Sequence, residues 1–381
     1  MSLLTRIRTN TVLKKIAQRV EKKLKRWLTA LLWKFLDQPK PTDAGSLDGI
    51  ESILLIRPNY RLGNALIGAP AIAAFRKRFP SARIDFLATD TTLALFENQP
   101  VDRFFTLSRR AIARPWLFVA LLKRLRGEKY DLAVQIGSGS LTGCLFARLI
   151  DARYSMGMGR NGQRWFDVEV SGKHRHAYDT PLVLARALNV PCRNRPLLCL
   201  TPSERNKALA LLGQHSIATG ANGDAAPFVG VFVGGHLDKR CSLAFWLEVL
   251  RTLDSAGVRH LVFLGPEERR LAPALQGQLA ASSHGALCHP RPLREFAAML
   301  AHATLLVTPD SGPMHLAAAL DVPAITIMQT KKSAKFAPRE TLDITLWKPS
   351  AEQVLLAIEE TRMRLHERDF AAQALPRLAM G

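Results

Sequence analysis

From Ile53 onward the chain alternates short apolar runs with longer stretches of helical spacing, and it does so twice. In the first half Ile53–Ile56, Arg83–Ala88 and Leu132–Ile136 read as strands, and Ala65–Phe79, Ala113–Leu125 and Leu141–Ile150 as helices. Pro202–Gly213 is a further helix, and Thr219–Pro227, with Gly220, Gly223 and Pro227, reads as a domain linker. The second half repeats the pattern. Its strands are Val229–Val233, His260–Gly265, Thr304–Thr308 and Ala324–Met328, and its helices Ser242–Ser255, Arg269–Leu279, Leu293–Ala301 and Met314–Leu320. Ala351–Arg364 is the last helix. Apolar runs too short for helices, separated by helical segments, pair as parallel strands whose crossovers cover the sheet. A length of 381 residues fits two such domains.

The stretch Leu305–Leu320 carries the sharpest local signal. Leu305 to Thr308 is a buried strand, Pro309 ends it, and Asp310, Ser311 and Gly312 form a tight turn. Pro313 suits the first turn of a helix, where its missing N–H costs nothing. Such a unit aims unpaired N–H groups and the positive end of the helix dipole at one point, where a diphosphate fits. Asp310 and Ser311 are also able to cap the helix, so a capped start without a ligand stands beside the anion-site reading.

The motif Thr308-Pro-Asp-Ser-Gly-Pro-Met-His-Leu-Ala-Ala-Ala-Leu320, followed by Val322-Pro323, resembles the signature of glycosyltransferase family 9, the ADP-heptose:lipopolysaccharide heptosyltransferases. Three other segments agree in order and spacing. Ile53–Asn64 with Pro70–Pro80 resembles the family's first strand, glycine loop and helix; Lys129–Ile136 its "YDLVIDLQ" strand; and Val231–Gly235 with Lys239-Arg240 the start of its second domain. The similarity covers roughly residues 50 to 350.

The resemblance implies an α/β, GT-B-like architecture: two Rossmann-type parallel-sheet domains facing a cleft. The boundaries it suggests are an arm and linker (1–48), an acceptor-side domain (49–218), a nucleotide-sugar domain (219–348) and a C-terminal helix and tail crossing back (349–381). It also implies an inverting, metal-independent transferase with no cofactor beyond the donor, ADP-heptose. Gly234, Gly235, Lys239, Asp310, Ser311, Gly312, Pro313, Met314 and His315 are the positions that match the donor site. Lys239 would stabilise the departing diphosphate; a solvated surface lysine is the bland alternative. Glu267 matches a position near the nucleotide ribose, with Glu268 and a plain acidic helix start as alternatives. Met328-Gln-Thr-Lys-Lys332 replaces the family's "FGPT"; Thr330 would still face the donor, and the lysines have no family counterpart.

On the acceptor side, Arg57, Arg61, Gly63 and Asn64 lie in the first loop, and Gly63 permits close backbone approach. The family places an aspartate, the general base, where this chain has Asn64. An amide does not usefully accept that proton. Asn64 therefore orients the acceptor, or the chain is a silent relative, and Asp90, His174, His176 and Asp179 are the other candidate bases. Arg57, Arg61, Arg76, Lys77, Arg160 and Arg164 supply cations for a phosphorylated, lipid-linked acceptor, or form a solvated basic face.

A formal charge of +21 calls for a polyanionic partner. Nucleic acid is not expected, because no nucleic-acid motif or aromatic-lined basic groove is present. Residues 1–37 hold ten Lys/Arg against two acids, with Leu13, Ile16, Val20, Leu24, Trp27, Leu28 and Leu31 on one helical face. That is the pattern of a helix lying in an anionic membrane interface, although docking on the protein's own surface fits it too. Five scattered cysteines suit a reducing compartment, and no run of 18 apolar residues would span a bilayer. The expected location is cytoplasmic, peripheral on the inner face of the inner membrane.

Overall fold

The computed structural model describes residues 38–112, 114–137, 140–159, 163–172, 176–220 and 225–378. The basic arm (1–37), Arg160 and His174 lie outside the described residues. The first sheet contains β1 (Ser52–Ile56), β2 (Arg83–Thr89), β3 (Arg103–Leu107), β4 (Leu132–Gln135), β5 (Tyr154–Met158) and β6 (Val168–Val170). The helices of this half are α1 (Leu62–Gly68), α2 (Pro70–Arg78), α3 (Pro115–Gly127), α4 (Leu141–Leu149), α5 (Thr180–Ala187) and α6 (Pro202–Gly213). The second sheet contains β7 (Val229–Phe232), β8 (His260–Phe263), β9 (Gly285–Cys288), β10 (Leu305–Pro309), β11 (Ala324–Met328) and β12 (Ile344–Trp347). Its helices are α7 (Leu243–Ser255), α8 (Ala272–Leu279), α9 (Leu293–Leu300), α10 (Gly312–Ala319) and α11 (Ala351–Leu378).

Both sheets are parallel, with orders β3-β2-β1-β4-β5-β6 and β12-β11-β10-β7-β8-β9. Each is the doubly wound order, in which the chain switches direction between the first and fourth strands. Ligands bind outside the carboxyl ends of the strands at that switch. In the first sheet this places the β1 loop, Arg57–Asn64, at the crevice; in the second it places the loops after β7 and β10 side by side. The central strands are buried on both faces: β10 and β11 have no exposed residue, and β7 and β8 none either.

Several elements differ from the sequence reading. The helix expected over Ala65–Phe79 starts earlier and breaks at Ala69, because Pro70 lacks the N–H needed to continue it and begins a second helix at N1. Arg269–Leu271 is a 3₁₀ turn before α8. Residues 38–45, expected as a linker, are tied down: Lys40 N–H donates to Asp167 Oδ1 at 2.7 Å, and Ala44 is buried, as is Leu47 just beyond. The buried face of α11 (Ala351, Val354, Ala357, Ile358) packs against α7 of the second half. Farther along, Arg368 borders a cavity shared with Arg193 and Arg195. Helix α6 packs against α9, joined by Arg294, whose Nη2 reaches Glu204 Oε2 at 2.7 Å and the Cys199 carbonyl at 2.8 Å. Among the described residues no helix is long and apolar enough to cross a membrane.

Candidate active site

The two halves meet where α1 crosses α10. A Cβ on Gly63 would lie 2.1 Å from His315 Cδ2 and 2.8 Å from its Nε2. One on Gly312 would lie 3.2 Å from Leu62 Cδ2. Each helix thus presents a glycine to a large side chain of the other, and this is what lets the helix starts approach. Gly63 therefore makes room for His315.

His315 is 5% exposed, and its Nδ1 lies 2.9 Å from the Tyr178 hydroxyl. Burial, opposed by Asp310 and reinforced by Lys239, lowers its pKa to about 4, and burial raises that of Tyr178. The imidazole is thus neutral and the phenol protonated near neutral pH, and the two share one hydrogen bond whose direction follows the imidazole tautomer. The structure adds Tyr178 to the site. Its contact with His315 spans 137 residues of sequence, so no local pattern reveals it.

After β10, Asp310 is 4% exposed and Lys239 Nζ lies 2.5 Å from its Oδ2. Lys239 comes from the 3₁₀ turn Leu237–Lys239 after β7, so the switch in strand order creates this pair. Ser311 is the N-cap of α10, yet it makes no capping bond; its hydroxyl meets Thr308 Oγ1 at 3.1 Å. With Asp310 committed to Lys239, the capped-start alternative fails. In the first turn of α10 the N–H groups of Gly312 and Met314 are unclaimed by a side-chain cap, beside an ammonium; Pro313 has none to offer. Met314 itself points into the core.

A cavity of about 870 Å³ borders Lys239. It is lined by His176 of the first half and by Asp238, Lys239, Thr330, Lys331 and the stretch from Ser333 to Phe336. Thr330 lines it, and Lys331 and Lys335 add cations to the wall.

In the loop after β8 the two adjacent carboxylates are placed differently. The Glu267 side chain is 75% exposed and reaches only Arg240, at 3.7 Å. Glu268 is buried, and its carboxylate fills the space that a Cβ on Gly234 or Gly265 would take, 2.6 and 2.5 Å away. Burial, then the charge of Glu267, raises its pKa. Glu268 is thus the carboxylate held against the Gly234-Gly235 loop; Gly235 itself gives its carbonyl to Arg240.

On the acceptor side Arg57 is buried against Gly68 and Gly137, and burial lowers its pKa to about 10. Its Nε donates to the Asn64 carbonyl at 3.1 Å, and Nη2 shares that acceptor. Arg57 therefore anchors the loop from below and is not an open cation. Arg76 is spent on Asp102 and the Ala82 carbonyl, and Arg164 on the carbonyls of Phe166 and Asp167. Arg61 is exposed and Asn64 half-buried. Among the other base candidates, Asp90 accepts from Ser108 Oγ and Arg109 N–H, and Asp179 pairs with Arg339. His176 accepts the Tyr178 N–H at Nδ1, and its Nε2 meets the Ala337 carbonyl at 2.8 Å. Each described candidate already has a structural partner.

Residues 118–371 match the model of glycosyltransferase family 9 (heptosyltransferase). The chain belongs to glycosyltransferase family 9. As a family 9 glycosyltransferase it is similar to lipopolysaccharide heptosyltransferase 3 of Escherichia coli, at 24% identity over 302 residues, covering 75% of this chain and 86% of the relative. A second lipopolysaccharide heptosyltransferase 3, of E. coli strain K12, is 20% identical, covering 77% and 84%. Two solved structures share the fold. The family 9 glycosyl transferase of Veillonella parvula DSM 2008 superposes with a TM-score of 0.70 at 19% identity, over 84% of this chain and 98% of that one. E. coli ADP-heptose lps heptosyltransferase II gives 0.64 at 18% identity, over 83% and 99%. The two-sheet, GT-B-like architecture of this glycosyltransferase is thereby shown.

Proposed function

We propose that this family 9 enzyme transfers heptose from ADP-heptose to the lipopolysaccharide core of a lipid A-linked acceptor, with inversion, at the cytoplasmic face of the inner membrane. The observation that carries the proposal is the Lys239–Asp310 pair beside the side-chain-uncapped start of α10, at the switch point of the second sheet. In this reading the acceptor hydroxyl oxygen bonds to the anomeric carbon as the bond from that carbon to the diphosphate oxygen breaks, and the hydroxyl proton is lost to solvent water. ADP leaves with the electron pair, and Lys239, the α10 N–H groups and His315 stabilise its charge. Gly234, Gly235 and Glu268 hold the nucleoside, and Ser311 and Thr330 the sugar. Arg61 and Asn64 orient the acceptor. The arm (1–37) holds the enzyme to anionic lipid.

Asn64 favours a second reading, a membrane-associated relative without turnover, because no carboxylate stands at that position and the described alternatives are engaged elsewhere. Release of ADP from ADP-heptose in the presence of core acceptor separates the two. Turnover by the natural chain supports transfer. Turnover only after Asn64→Asp establishes the silent relative, and loss of turnover on Asn64→Asp assigns the amide N–H₂ to acceptor recognition.

A further inference from the structure

Helix α3 is the least covered helix of the first half. Between Pro115 and Gly127 only Leu125 is fully buried; Phe118 anchors the inner face against Phe146, ring centroids 4.6 Å apart. On a helical wheel Trp116, Val119, Ala120, Lys123 and Arg126 share the opposite side. Trp116 is 62% exposed and Val119 48%. The chain from Ser108 to Gly127 contains six Arg/Lys (109, 110, 114, 123, 124, 126) and no Asp or Glu. Some of these have internal roles: Arg124 lies 4.9 Å over the Phe105 ring, and Arg126 is 3.5 Å from Asp151. Arg110, Arg114 and Lys123 stay exposed on either side of the tryptophan.

The position of this face follows from topology. Strands β1, β2 and β3 are parallel, so the chain leaving β3 emerges at the same sheet edge as the Arg57–Asn64 loop. Asp90, which follows β2, holds it there by accepting from Ser108 Oγ and Arg109 N–H at 3.1 and 3.2 Å. The charges of Asp90 and Arg109 reach Tyr60 in the β1 loop. The exposed tryptophan thus stands on the cleft-side edge of the acceptor half.

We propose that the outer face of α3 is a membrane-docking surface that seats the first domain on an anionic bilayer, with Trp116 and Val119 in the interface and Arg110, Arg114 and Lys123 at the headgroups. The combination identifies the occupant. An apolar tip whose indole N–H needs a wet partner, flanked by the exposed Arg110, Arg114 and Lys123 and with the Asp151 carboxylate paired to Arg126, complements a lipid interface with negative headgroups. This is a site separate from the arm (1–37). Its value for delivering a lipid-linked acceptor rests on the proposed function; the docking itself does not.

The test uses the full chain and phosphatidylcholine vesicles with and without phosphatidylglycerol, with no sugar substrate, so its outcome is independent of transfer. The emission difference between the natural protein and Trp116→Phe isolates the indole. It is expected to shift to the blue when phosphatidylglycerol vesicles are added, and to stay put with phosphatidylcholine alone. Trp116→Ser with Val119→Ser should lower vesicle partitioning by about tenfold or more. Neutralising Arg110, Arg114 or Lys123 should lower it by about fivefold each at low salt. An indole emission that ignores the anionic vesicles overturns the proposal. So does sedimentation of the natural protein as a dimer that Trp116→Ser dissociates, which would assign the face to a second copy of the chain.

Discussion

Gly63→Ala tests the junction between the two halves in a way that isolated stability rules do not. Gly63 sits in the first turn of α1 and does not adopt a positive φ, so alanine suits its backbone. Helix propensity alone favours the substitution by about 0.5–1 kcal/mol. The new Cβ, however, would stand 2.1 Å from His315 Cδ2, 2.8 Å from Nε2 and 3.0 Å from Cγ. The imidazole has little room to retreat: Tyr178 holds Nδ1, and the Phe336 ring lies 6.2 Å away, edge-on. Overpacking of this kind costs about 1–3 kcal/mol or more, so Gly63→Ala should be destabilising despite its better propensity. In a His315→Ala background the obstructing ring is gone, and the same substitution should become neutral or stabilising by up to about 1 kcal/mol. Urea unfolding of the four proteins gives the coupling, expected at about 1–3 kcal/mol. Equal effects of Gly63→Ala in both backgrounds would refute the packing argument.

Three further outcomes follow from the site. Lys239→Met should lower turnover by about a hundredfold to a thousandfold, as removal of a charge-stabilising donor does, and unchanged steady-state kinetics would return Lys239 to the surface. His315 takes up a proton at about 4 in the fold, against 6.5 ordinarily. Between those values the unfolded chain binds more protons, so the stabilisation is complete above 6.5 and is lost as pH falls toward 4. The free energy of unfolding from urea melts should therefore drop across that window by on the order of 1–3 kcal/mol, and His315→Gln should flatten the drop. Glu268→Gln should weaken ADP binding by about tenfold in calorimetry while Glu267→Gln leaves it nearly unchanged; the reverse order would restore the exposed residue to the site.

Which strands were legible follows from where they lie. β1, β2, β4, β7, β8, β10 and β11 are interior strands, and continuous apolar runs reveal them. Those that escaped notice are outer ones. β3, β6, β9 and β12 form the four sheet edges, and β5 adjoins one. β3 alternates exposed and buried residues, β6 has three residues, and β9 begins with a half-covered glycine. The site divides in the same way. Asp310 and Ser311 follow a strand end, so strand–turn–helix logic finds them, whereas Lys239 stands out only by its match to the family's motif. Tyr178 does not, because only the tertiary fold brings it to His315. The choice between Glu267 and Glu268 depends on which carboxylate turns toward Gly234. The burial of Arg57 depends on the absent side chains at Gly68 and Gly137, and an arginine in a basic loop otherwise looks like an open cation.

The central claim is transfer of heptose to the lipopolysaccharide core, and mass spectrometry of the core oligosaccharide tests it most directly. The host strain is compared with a deletion of this gene, complemented either by the natural chain or by Lys239→Met. The account predicts a core shortened by one heptose in the deletion, together with whatever is later attached to it. The natural chain should restore the core, and Lys239→Met should not. A core of unchanged mass in the deletion strain, or one lacking a different sugar, would contradict it.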